Sequence, residues 1–93
     1  MIDVEHIAAI VSAIPSLTPQ QARLFYVLRA NAGRVVTNDM IDDLIGSDHT
    51  VDITPGARRS TMKRLRVSLR AEGRPEVIHA HYGLGYRMTA PEG

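Results

Sequence analysis

The chain of 93 residues contains no cysteine, and its aromatic side chains are one Phe and three Tyr. Without cysteine there is no disulfide framework, no thiolate metal site and no cysteine nucleophile, and a reducing compartment is acceptable. The scarcity of aromatics weighs against RNA binding by base stacking, for which only Tyr82 is well placed. No long apolar run is present. The longest, around Ile7 to Ile14, is broken by Ser12 and stopped by Pro15, well short of the roughly 20 residues of a membrane span. The opening M-I-D-V-E-H lacks the basic segment of a signal peptide. No Ser/His/Asp spacing, phosphate loop or dinucleotide fingerprint occurs, and Gly83-x-Gly85 reads as a turn. These absences predict no catalytic residue, no cofactor and no enzyme.

What is present is enough apolar material, 44% of residues, for one domain. Its charges are unevenly placed. The net charge is +1, yet residues 1–50 carry three basic and six acidic side chains, and residues 51–93 carry eight and four. Within 58–74 stand Arg58, Arg59, Lys63, Arg64, Arg66, Arg70 and Arg74 against Glu72 alone. A solvated helix face is the ordinary meaning of such a run. Here, the lack of interleaved acids favours a face that meets a polyanion, because like charges one turn apart cost helix stability. Arginine suits bidentate contact with phosphate and guanine.

Helix signals recur along the chain. Asp3 can cap a first helix to about Ile14, with Ile7, Ile10, Val11 and Ile14 on one stripe, stopped by Pro15. Thr18, Pro19 and Gln21 form a capping box with proline at the first helical position, and Leu24, Phe25 and Leu28 follow as a buried stripe with Val27 beside it. This second helix ends near Asn31, before Gly33. Val35-Val36 reads as an extended link. Thr37 caps a third helix, with Met40, Ile41, Leu44 and Ile45 inward, Asp42 and Asp43 outward, and Gly46 at its close. Residues 47–54 read as a loop. Thr54-Pro55 starts a fourth helix running to about Ala71.

On a helical wheel, Met62, Leu65 and Leu69 make the core face of this last helix, flanked by Thr61 and Ser68. Arg59, Lys63, Arg66 and Arg70 make a basic stripe, and Ser60, Arg64 and Val67 a mixed face. Arg58 falls near the core sector. Residues 76–81 and 86–88 read as strands about the turn Tyr82-Gly83-Leu84-Gly85, and 90–93 as a frayed end. The fold class is therefore mainly α with a small C-terminal β-hairpin: a three-helix core plus wing, with an extra N-terminal helix. In this winged helix-turn-helix order the basic helix, about 56–71, can enter a major groove, and the wing, 76–88, the adjacent groove or backbone. The division expected is 1–16, packing on the core or forming a dimer contact, and 17–90, the winged domain.

Three segments then resemble the OmpR/PhoB-type effector domains: L-T-P-Q-Q-A-R-L-F-Y-V-L-R-A-N-A-G-R-V-V-T-N-D-M-I over 17–41, K-R-L-R-V-S-L-R over 63–70, and V-I-H-A-H-Y-G-L-G-Y-R-M over 77–88. The resemblance spans roughly 17–88, and its wing ending, Gly-x-Gly-Tyr-Arg, is the most specific part. It implies sequence-specific binding of double-stranded DNA by a transcriptional regulator, in the bacterial cytoplasm and associated with the nucleoid. It implies recognition-helix contacts from Lys63, Arg64 and Arg66, neighbouring contacts from Ser60 and Thr61, a phosphate contact at Thr37, and a wing role for Arg87. Arg58, Arg59, Arg70 and Tyr82 complete the candidate set. Where the family usually carries a basic residue before Gly-x-Gly, this chain has Tyr82. The loop at 47–55 is about two residues long for the family, the N-terminal sheet of the family is replaced by a helix, and 93 residues leave no room for a receiver domain.

The remaining chemistry is sparse. His79-x-His81 could pair on a metal, but no third ligand is evident and wing histidines near phosphate are the simpler meaning, so no metal site is expected. The acidic third helix could touch RNA polymerase, and the first helix could join two copies as a homodimer; no membrane partner is expected. The rival function is a protein-interaction module that docks polymerase or another regulator through the same fold.

Overall fold

The computed structural model describes residues 4–46 and 53–90. Its elements are α1 Val4–Ala13, α2 Pro19–Ala30, β1 Val35–Thr37, α3 Asn38–Ile45, α4 Pro55–Ala71, β2 Val77–His81 and β3 Gly85–Thr89. The expected cap at Asp3, residues 47–52 of the expected loop, and residues 91–93 of the tail lie outside the described residues.

Three threonines start three helices. At α2 the Thr18 hydroxyl accepts from the Gln21 N–H, while the Gln21 side chain accepts from the Thr18 N–H, both at 3.1 Å. This closes the capping box and satisfies two N–H groups that helix geometry leaves without partners. Thr37 accepts from the Met40 N–H at 3.3 Å, and Thr54 from the Ala57 N–H at 3.1 Å. At the other end of α4, Gly73 takes a positive φ of 67°. Its N–H donates to Arg70 O, and that of Arg74 donates to Leu69 O. This is a Schellman closure, which only a residue without Cβ adopts cheaply. It turns the chain sharply toward β2.

The expected link at Val35-Val36 is a strand. It pairs antiparallel with β3, giving a three-stranded sheet in the order β1-β3-β2. Val36 stands opposite Tyr86, and Thr37 opposite Gly85; across β2 and β3, Ile78 stands opposite Met88. The sheet thus contains more than the hairpin, because a three-residue segment gains its ladder from a partner some fifty positions away, which local pattern does not reveal.

One side of the sheet, carrying Val36, Ile78, Tyr86 and Met88, closes on the helices. Leu24, Phe25 and Leu28 of α2, Ile41 and Ile45 of α3, and Met62, Leu65 and Leu69 of α4 fill the space between. Each large side chain so buried contributes about 1.5–3 kcal/mol of transfer free energy. Met40, expected inward, lies at the edge and is exposed. Ile53, just before the Thr54 cap, packs on the core.

The N-terminal helix rests on α2, with the His6 and Tyr26 rings 5.4 Å apart. No residue within α1 is fully buried. Ile14 and Leu17, just beyond its end, enter the core, and Ile10 packs against it. The Ser16 hydroxyl donates to Ser68 O on α4 at 3.4 Å. None of these contacts covers the outer face of α4.

Candidate nucleic-acid interface

Burying Met62, Leu65 and Leu69 turns the opposite side of α4 outward. Arg59, Ser60, Lys63, Arg64, Val67 and Arg70 are all exposed there. Among the described residues, no acid pairs with Arg59, Lys63, Arg64 or Arg70. These four cations form the exposed part of the basic run. The mixed face expected from Ser60, Arg64 and Val67 is therefore continuous with the stripe.

The other three basic residues of the run act within the protein. Arg58 makes a bidentate pair with Asp42 of α3: Nε donates to Oδ1 at 2.7 Å and Nη2 to Oδ2 at 2.6 Å. The hydrogen bond to Asp42 is the main reason that the Arg58 pKa lies above its ordinary value; burial opposes this shift. Asp42, expected to face out with Asp43, is instead turned toward α4, because this arginine reaches it. Arg66 departs from the stripe as well. Its Nε and Nη2 donate to Ile78 O at 3.2 and 3.0 Å, with the guanidinium 5.9 Å from the Tyr86 ring centre. That carbonyl belongs to β2, so Arg66 ties the basic helix to the wing.

Arg74 leaves the outer face altogether. Glu76, with only 1% of its side chain exposed, accepts from Arg74 Nε and Nη2 at 3.1 and 2.8 Å and from Arg29 Nη1 at 3.1 Å. Two guanidiniums compensate one buried carboxylate, which would otherwise be costly to desolvate. The nearest sequence signal is the acid just before β2, Glu76, two residues from Arg74; Arg29 is remote in sequence.

Thr61 is buried, and its hydroxyl donates to Ala57 O at 2.9 Å. Thr37 stays exposed at the start of α3 while capping it. Arg87 lies on the outer side of the sheet, between β1 and β2, where its Nε donates to His81 Nε2 at 3.1 Å. His79 Nε2 meets Thr89 Oγ1 at 3.0 Å. Among the described residues, no group of three or more His, Asp or Glu could hold a metal ion, and no helix is long and apolar enough to cross a membrane.

The Gly-x-Gly of the wing has two separate causes. Gly83 has a φ of 77°, suited to a tight turn. Gly85 lies so close to β1 that a Cβ there would meet the Val36 carbonyl. Tyr86 then points into the core and Arg87 outward, as strand alternation requires. The N–H of Asn38 donates to Leu84 O at 2.9 Å, fastening the wing turn to the start of α3. Between that turn and the first turns of α4 lies a cleft of about 270 Å³, lined by Asn38, Arg58, Arg59, His81 and Tyr82 among others. Asn38 and Leu84 were not singled out from sequence. An apolar residue between the two turn glycines was the available sign for Leu84.

The arrangement is a convex cationic helix flanked by a protruding hairpin. A family model described as "Transcriptional regulatory protein, C terminal" matches residues 13–88. No curated protein and no solved structure matches the chain.

Proposed function

This chain belongs to the family of transcriptional regulatory protein C-terminal domains, and from that premise we propose that it binds double-stranded DNA sequence-specifically. The family is one of DNA-binding regulatory domains, not of enzymes. In this reading α4 enters the major groove, wide enough for a helix, and the β2–β3 hairpin lies on the adjacent groove or backbone. The observation that carries it is the exposure of Arg59, Lys63, Arg64 and Arg70 on one side of α4, opposite its buried side.

Arg64, with Ser60 and Arg59 beside it, reads base edges. Lys63 and Arg70 contact phosphate. Thr37, at an exposed helix start, offers a further phosphate contact. Arg58 and Arg66 act one step back, holding α4 against α3 and the wing, Thr61 is turned inward with its hydroxyl on Ala57 O, and Arg87 orders the outer side of the sheet. Residues 17–90 form the DNA-binding unit, with residues 4–16 packed upon it. The work of such a protein lies on the bacterial nucleoid, in the cytoplasm.

A random duplex in a mobility-shift assay at low salt tests the reading. On a random duplex, where no base edge is read and all four exposed cations lie against phosphate, log affinity falls against log salt with a slope of roughly −3 to −4. Selection from a random duplex pool then reveals the preferred site, its spacing and its symmetry. Absence of any shift at low salt overturns the reading.

A second reading has its own observation. Val27, Met40 and Leu44 line a shallow apolar groove beside Asp43, between α2 and α3. Docking of RNA polymerase or another regulator there is compatible with DNA bound to α4. The apolar α1, with Val4 largely exposed, is the corresponding surface for a homodimer.

A further inference from the structure

The tip of the wing combines rigidity with apolar exposure. Tyr82 is fully exposed, and Leu84 is 64% exposed. The turn that carries them is nonetheless fixed. The Leu84 N–H donates to His81 O, and Leu84 O accepts from the Asn38 N–H, both at 2.9 Å. Gly83 supplies the left-handed residue, and Gly85 presses the following strand against Val36. A loop fastened at both sides loses little further freedom on binding. The tip itself, residues 82–84, carries no cation; the cations lining the same cleft are Arg58, engaged with Asp42, and the exposed Arg59, both on α4.

Resting on the DNA-binding reading above, we infer that Tyr82 and Leu84 form an apolar wedge that enters the minor groove next to the site read by α4. The position follows from continuity: Tyr82 and Arg59 line one cleft, so a duplex laid along the cationic side of α4 brings its neighbouring groove to the tip. The chemistry follows from composition. Phosphate offers nothing to a leucine, whereas the sugar walls of a minor groove and the face of a parted base step do. Steps that part readily are pyrimidine–purine steps, so the wedge confers a preference for TA or CA/TG at a fixed distance from the α4 site, without hydrogen-bond readout.

Apolar contacts release no counterions, which separates the wedge from a cation's contact with phosphate, and removal of the Tyr82 hydroxyl separates it from a neutral polar contact. The test compares the full chain with its Tyr82→Ser/Leu84→Ser and Tyr82→Phe variants, on duplexes selected by the unaltered protein, over a range of salt. Both side chains are exposed, so the double variant keeps its thermal midpoint. The expected result is an affinity loss of about tenfold on burying less apolar surface, an unchanged salt slope, and loss of preference at the flanking step, with Tyr82→Phe like the unaltered protein. Unchanged affinity in the double variant overturns the wedge while leaving DNA binding in place. So does a loss with the slope reduced by about one, which marks a cation held on phosphate through the tip, or a loss reproduced by Tyr82→Phe, which marks a polar contact of the hydroxyl. If the unaltered protein fails to bind duplex at low salt, the DNA-binding reading falls and the wedge with it.

Discussion

Arg58 and Asp42 lock α4 to α3 through two parallel hydrogen bonds of 2.7 and 2.6 Å. The pair lies at the first turns of the basic helix, where it sets the angle at which that helix leaves the core. A bidentate, partly buried pair is stronger than an exposed ion pair. Asp42→Ala is expected to lower stability by about 1–3 kcal/mol, since it leaves a charged donor without its partner. Urea unfolding reads this as a lower midpoint with an unchanged slope. Arg58→Met in the same background recovers part of the loss. The Arg58 pKa is raised, so its stabilising share is complete below the ordinary arginine pKa and disappears only as pH climbs through the raised one. Stability near neutrality therefore does not vary through Arg58.

Two glycines of one motif respond differently to alanine. At Gly85 the added methyl meets the Val36 backbone, which cannot turn aside as a side chain could. Gly85→Ala is expected to cost at least about 2–3 kcal/mol and to weaken the β1–β3 pairing, seen as faster amide exchange at Val36. At Gly83 nothing lies within 4 Å of the new methyl, and only the positive φ opposes it. Gly83→Ala is expected to cost about 1–2 kcal/mol. Thermal unfolding of the two variants checks the order.

The helix starts at Thr18, Thr37 and Thr54, and the buried stripes of α2 and α4, were legible because each is written within a few residues. A cap needs its acceptor and a donor three positions on, and a stripe repeats every turn. The wing signature was legible for the same reason. What stayed hidden was pairing over distance. Val35–Thr37 is too short to announce a strand, and its partner is β3. A wheel assigns each arginine a sector but does not say what stands opposite. Asp42 stands opposite Arg58, Ile78 O opposite Arg66, and Glu76 opposite Arg74. Arg66 was thereby removed from the stripe that its spacing implied, while Arg58, near the core sector of the wheel, and Arg74, beyond the helix end, found acids that spacing does not reveal.

Glu76 organises a second internal set of charges. Removing it leaves Arg29 and Arg74 without their common acceptor at the turn between α4 and β2. Because both arginines are partly exposed, water relieves part of this, and Glu76→Ala is expected to cost about 1–3 kcal/mol. Chemical denaturation measures the loss. Glu76→Gln, which keeps the acceptor oxygen but loses the charge, is expected to fall between the two.

Arg66 and Arg70 are close on the helix and differ in use. Arg66 donates to Ile78 O, whereas Arg70 points to solvent. Arg70→Ala is expected to weaken binding to every duplex alike and to flatten the salt slope by about one, with stability unchanged within about 0.5 kcal/mol. Arg66→Ala is expected to lower stability and loosen the wing as well. Paired unfolding and binding measurements separate the two.

In the proposed reading the outward side of α4 meets a duplex, with Arg64 as its principal reader of base edges. The most direct measurement is the ratio of specific to random-duplex affinity for the unaltered protein and for Arg64→Ala, on the site obtained by selection. The substitution is expected to cost about 1–3 kcal/mol on the selected site and much less on random duplex, so the ratio collapses. An unchanged ratio, with both affinities equally reduced or neither reduced, contradicts it.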